Sequence, residues 1–168
     1  MSSKELLEVI EKLPADDYET AQGLCEKLLA GGAETIEQLV KMVGERFGVP
    51  DGAKPKYALH GLVHHACRPD NDGGRKLLAE TLAKQLSADH SDELKAFIVR
   101  QLQLCGRADE VPALANLLDS DRLCNPATQA LVAIGGDAAL KALRNAQPKA
   151  KGPRKVAVDQ AVEILSQR

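Results

Sequence analysis

Two segments in the second half of the chain say nearly the same thing. Leu102-Gln103-Leu104-Cys105-Gly106-Arg107-Ala108-Asp109-Glu110-Val111-Pro112-Ala113-Leu114 is echoed by Leu131-Val132-Ala133-Ile134-Gly135-Gly136-Asp137-Ala138-Ala139-Leu140-Lys141-Ala142-Leu143. Gly106 and Gly135 stand 29 residues apart, and so do Leu114 and Leu143. A period in this range belongs to stacked helical repeats, whose units bury their apolar faces only against their neighbours. The echo therefore restricts the architecture to helix pairs, and it promises a surface rather than a chemistry.

Composition points the same way. Hydrophobic residues make up 44% of the 168 and aromatics only 2%, so the core has to be built from small and medium aliphatic side chains, which suits closely packed helices. The periodic windows are filled with Ala, Leu, Lys, Glu and Gln, all good helix formers. An all-α chain of one domain, residues 1–168, is expected.

Leu6, Leu7, Val9, Ile10 and Leu13 trace a short amphipathic helix that stops at Pro14. A second helix is expected to be capped near Asp16 or Asp17, to turn Ala21, Leu24, Cys25, Leu28 and Leu29 inward, and to end at Gly31 and Gly32. Ile36, Leu39, Val40, Val43 and Phe47 mark a third, ended by Gly48 and Pro50. Residues 48–55, with two glycines and two prolines, read as a loop. Leu59, Leu62, Val63 and Ala66 define a helix over 57–67, closed by a polar, glycine-containing turn at 69–74. Helices over 75–86 and 92–105 follow, the latter capped by Ser91 or Asp92.

From Ala108 onward the pattern is regular, with helices expected over 111–118, 126–134, 138–146 and 153–165. Pro126 and Pro153 both fall near a first helical turn, where the missing amide hydrogen costs nothing. Irregular hairpins in 1–70 thus give way to regular repeats in 71–168.

The stretch Asp109-Glu110-Val111-Pro112-Ala113-Leu114-Ala115-Asn116-Leu117-Leu118-Asp119-Ser120, followed by Pro126-Ala127-Thr128-Gln129-Ala130-Leu131-Val132-Ala133-Ile134-Gly135, resembles the short HEAT-like repeats first associated with phycobilisome lyase subunits. The resemblance covers about residues 91–167. It implies a right-handed α-solenoid, an α-α superhelix, of about five helical hairpins whose second helices line the concave side. Repeats of this type usually carry an aspartate and an arginine near the inter-helix turn that bond along the stack. Asp119, Asp121 and Arg122 match that pattern, whereas residues 146–155 contain no aspartate. Iron enzymes on this scaffold bind metal through His-Glu dipeptides, and none occurs here.

The net charge of −2 hides a gradient. Residues 1–51 hold eleven acids and five bases, a balance of −6, whereas 146–168 hold five bases and two acids, a balance of +3. Cys25, Cys67, Cys105 and Cys124 have no close pairing and read as reduced core residues, and no secretory apolar region follows Met1. No apolar run approaches the ~18 residues that span a bilayer. A cytoplasmic protein is expected. The last helix keeps apolar residues to within three positions of the end, which suggests a piece of a longer repeat protein or end-to-end self-association.

Three groups of residues are candidates for function. His60, His64 and Cys67 share one helical stripe, and an i, i+4 histidine pair is a known zinc geometry. Seven residues, about 10 Å along a helix, separate His60 from Cys67, so at most two ligands come from this element. A third ligand has to arrive from His65, His90 or a carboxylate. The favoured reading is histidines flanking a packed face, with no cofactor.

Lys149, Lys151, Arg154 and Lys155, with Lys141 and Arg144 one helix earlier, form a basic cluster in a Pro/Gly loop. It offers contacts to phosphate or to acidic protein, although a chain with four aromatic residues has few stacking platforms for bases. Lastly, Lys95, Arg100, Gln101, Gln103, Thr128, Gln129, Lys155, Asp159 and Gln160 are expected as exposed polar positions on the second helices.

With no catalytic set identifiable, the expected function is that of a non-catalytic HEAT-like scaffold presenting this helical face to another protein, without a membrane. Two alternatives stand beside it: a metal-binding or enzyme-accessory module centred on His60 and His64, and nucleic-acid binding through the loop 149–155.

Overall fold

The computed structural model describes residues 1–48 and 53–168. Among these residues it contains ten α-helices and no strand. They are α1 (Ser3–Glu11), α2 (Tyr18–Ala30), α3 (Gly32–Glu45), α4 (Ala53–Ala66), α5 (Asp72–Gln85), α6 (Asp92–Cys105), α7 (Val111–Ala115), α8 (Cys124–Ile134), α9 (Gly136–Ala146) and α10 (Gly152–Ser166). The chain packs as two compact units, Met1–Leu82 and Ala83–Arg168, divided within α5. No helix among the described residues is long and apolar enough to cross a membrane.

In the first unit each of α1 to α4 touches the other three. Ser2 opens α1 with a capping box: its Oγ accepts the Glu5 N–H, and the Ser2 N–H donates to Glu5 Oε2 at 2.8 Å. Leu6, Val9, Ile10 and Leu13 are buried, but Leu7 is 40% exposed because so short a helix presents only one stripe to the core. Asp17 caps α2, its carboxylate accepting both the backbone N–H and the hydroxyl of Thr20. Only Gly31 separates α2 from α3, and Gly32 sits at φ +70°, a conformation glycine adopts without strain. The α3 residues Ile36, Leu39, Val40 and Val43 are wholly buried.

Two expected loops are partly helix. Ala53, Lys54 and Pro55 form the first turn of α4, where a proline lacks no needed hydrogen bond, and Pro55 is buried there. The rest of that expected linker, residues 49–52, lies outside the described residues. Similarly, Gly73 and Gly74 belong to the first turn of α5 rather than to a loop.

In the second unit α6 packs on α8 and α8 on α10, forming one layer, while α7 and α9 pack together as the other. Ser91 caps α6 by accepting the Leu94 N–H. The expected helix over 111–118 is shorter: past Ala115 the chain tightens into turns closed by Leu117 N–H to Leu114 O and Leu118 N–H to Ala115 O. Leu114, Leu117 and Leu118 are nevertheless buried, so the apolar spacing serves the core without a regular helix.

The twin glycines both end helices but do so in different conformations. Gly106 donates its N–H to Leu102 O at 2.7 Å with φ −63° and ψ 156°; Gly135 donates to Leu131 O at 2.9 Å with φ +70° and ψ −166°.

Arginines link successive hairpins of this unit. Arg122 faces Asp92 and Glu93 at 3.8 and 3.7 Å. Arg154 forms an ion pair with Asp121 at 2.9 Å and donates from Nη1 to the Asp119 carbonyl at 3.0 Å. Each arginine reaches back to acids of the preceding hairpin, so the final hairpin supplies only the arginine.

Candidate functional site

The layer of α6, α8 and α10 carries a groove of about 380 Å³. Its polar walls are Gln103 from α6, Asn125, Thr128 and Gln129 from α8, and Gln160 and Arg168 from α10 and its end. Val132, Ala133, Ala157, Ala161 and Ile164 supply the apolar part, and Ile164 is 44% exposed. Helical spacing explains the set: Asn125, Thr128, Gln129 and Val132 recur at i, i+3, i+4 and i+7 on one face of α8, as Ala157, Gln160, Ala161 and Ile164 do on α10. Among the described residues, no carboxylate lines the groove. Arg168 closes one end, its Nη1 donating to the Val132 carbonyl at 3.0 Å.

Of the nine polar positions expected on the second helices, Gln103, Thr128, Gln129 and Gln160 meet in this groove. Gln101 and Thr128 were expected to be exposed and are buried instead. Each turns back on its own helix: the Gln101 amide donates to the Phe97 carbonyl at 3.3 Å, and the Thr128 hydroxyl donates to the Asn125 carbonyl at 2.8 Å. Local bonding to the backbone removes the penalty of burying these groups. Lys95 and Arg100 stand elsewhere on α6. Lys155 and Asp159 are joined at 2.8 Å, one turn apart on α10, and Gln147 also donates to Asp159 at 2.9 Å. Those two bonds, Lys155 first, hold the Asp159 carboxyl below the usual carboxylate range. Asn125, Val132 and Ala133 are groove residues that sequence reasoning overlooked, though their α8 register with Gln129 was there to be read.

The basic loop is less uniform than its sequence. Lys149 and Lys151 are exposed, whereas Arg154 is only 21% exposed and bound to Asp119 and Asp121. Arg154 therefore acts as an inter-hairpin clasp rather than a free cation.

His60 and His64 lie on the exposed side of α4 with their Nε2 atoms 3.1 Å apart and their rings edge to face. His65 points elsewhere, into a small polar pocket of about 170 Å³ with Gln22, Glu26, Arg68, Asp70 and Asn71. Burial there, and then the Arg68 charge, pushes its imidazole below the usual range. His90 is paired with Gln85 at 3.0 Å. Among the described residues, no group of three or more His, Cys, Asp or Glu side chains is placed to hold a metal ion. Burial pushes the thiols of Cys25 and Cys124 up, the opposite of an activated nucleophile.

No protein-family model matches the chain, and no characterised protein matches it in sequence.

Proposed function

We propose that the protein is a non-catalytic, HEAT-like α-solenoid module that holds an extended, uncharged segment of another protein along the groove of α6, α8 and α10. The observation that carries this reading is the run of neutral amides, Gln103, Asn125, Gln129 and Gln160, across three successively packed helices. A side-chain amide both donates and accepts, so it can bond a peptide backbone without selecting a charge. Packed helices lie 8–10 Å apart, and an extended chain advances ~3.3 Å per residue, so each helix meets about every third residue of the guest. The alanines keep the floor low enough for a backbone to approach. The two-layer order of α6 to α10, with arginines bridging hairpin to hairpin, supports the solenoid reading.

Selection of displayed random peptides on the purified chain tests the proposal. Enriched peptides are expected to lose at least about tenfold in affinity, ~1.4 kcal/mol, for the Gln129→Lys/Gln160→Lys variant, and to keep it for Lys4→Gln. Enriched peptides that bind the double variant as tightly as the parent, or no enrichment at all, would overturn it.

A further inference from the structure

We infer that His60 and His64 form a two-point chelate for a single divalent transition-metal ion on the first unit, with water completing its coordination. The Nε2–Nε2 distance of 3.1 Å is the observation that carries this. With metal–nitrogen bonds of ~2.0–2.1 Å, that separation subtends about 95–102° at a shared ion, between square (~90°) and tetrahedral (~109°) arrangements.

The pair is held at this bite from below. Both histidines lie inside α4, one turn apart, and the helix is anchored by the wholly buried Leu59, Leu62, Val63 and Ala66. A rigid helix presents the two imidazoles already side by side, so little conformational freedom is lost on binding. In the metal-free chain one Nε2–H donates to the other Nε2, which requires two different tautomers. Binding replaces that bond: both rings take the Nδ1–H tautomer, one proton relocates within its own ring through solvent, and small rotations about the broad χ2 torsion aim both lone pairs at the ion. Two neutral imidazoles with open positions favour Cu²⁺ over Ni²⁺ and Zn²⁺ by the usual order of divalent affinities. His65, although adjacent in sequence, faces the separate Glu26/Arg68 pocket and takes no part.

The chain without an affinity tag, titrated with Cu²⁺ alone, tests this. One ion per chain is expected to bind to the folded chain, with two imidazole nitrogens visible in its electron paramagnetic resonance spectrum. His60→Ala and His64→Ala are each expected to weaken that ion by about tenfold or more, and His65→Ala to leave it unchanged. Both positions are exposed, and circular dichroism of each variant is the check that it folds. Equal Cu²⁺ affinity in parent, His60→Ala and His64→Ala chains would overturn the inference, as would a one-nitrogen spectrum in the parent.

Discussion

Replacing Gly135 by alanine probes the link between the sequence echo and the backbone it encodes. Gly135 sits at φ +70° and ψ −166°, a region open in practice only to glycine, yet a Cβ there would have ordinary space, its nearest neighbours lying 4.0 Å away. The whole cost is therefore backbone strain, ~1–3 kcal/mol, offset by ~0.4–1 kcal/mol from the stiffer unfolded chain. A net loss of about 1–2 kcal/mol follows, a fall on the order of 0.5–1 M in the urea midpoint for a small unit.

Gly106→Ala is destabilising for a different reason. Its φ suits any residue, but the new Cβ would stand 2.5 Å from the Leu102 carbonyl oxygen, which the Gly106 N–H itself holds close. Relief means loosening the last turn of α6, at about 1–3 kcal/mol by analogy with overpacking. Gly23→Ala, in the middle of α2 with nothing within 4 Å, is the control and is expected to gain ~0.5–1 kcal/mol. Urea unfolding followed by far-ultraviolet circular dichroism measures all three. A neutral or stabilising Gly135→Ala would refute the argument that backbone conformation, and not space, keeps glycine there.

Two further outcomes follow from the arginine clasp and the α2 cap. Arg154→Met should lose about 1–2 kcal/mol, mostly from the charge-assisted bond to the Asp119 carbonyl; its coupling to Asp121, which is 91% exposed, should stay below ~1 kcal/mol in a double-mutant cycle and shrink with added salt. The Asp17 carboxyl is held below the usual carboxylate range by the Thr20 backbone N–H and then the Thr20 hydroxyl. A lowered folded-state value means its stabilisation is fully present above the unfolded value and vanishes as pH falls through the folded one, so melts across acidic pH should show the gap between parent and Asp17→Ala closing.

The chain by itself determined that the protein is all helical, because apolar residues recur at helical spacing while proline and glycine punctuate the runs. It also narrowed the caps of α2 and α6 to Asp16 or Asp17 and Ser91 or Asp92, between which the folded backbone chose Asp17 and Ser91, and it determined the polar face of α8 and α10, since a fixed rise and rotation place Gln129 and Gln160 once their helices are known. Tertiary structure decided everything that depends on neighbours from other elements. Pro55 and Gly73 carry the same loop signal as Pro14 or Gly48, and only their place in a helix's first turn makes them helical.

Gln101 and Thr128 look like surface residues until packing covers them and their own backbone satisfies them. Arg154 looks like one of four loose cations until Asp119 and Asp121, more than thirty residues earlier, come alongside. The twin glycines show the division most clearly: one letter at one repeat spacing serves a close carbonyl at position 106 and a positive φ at position 135. Spacing along a chain sets which face a side chain occupies, but the room and the torsion available there are set by what packs against it.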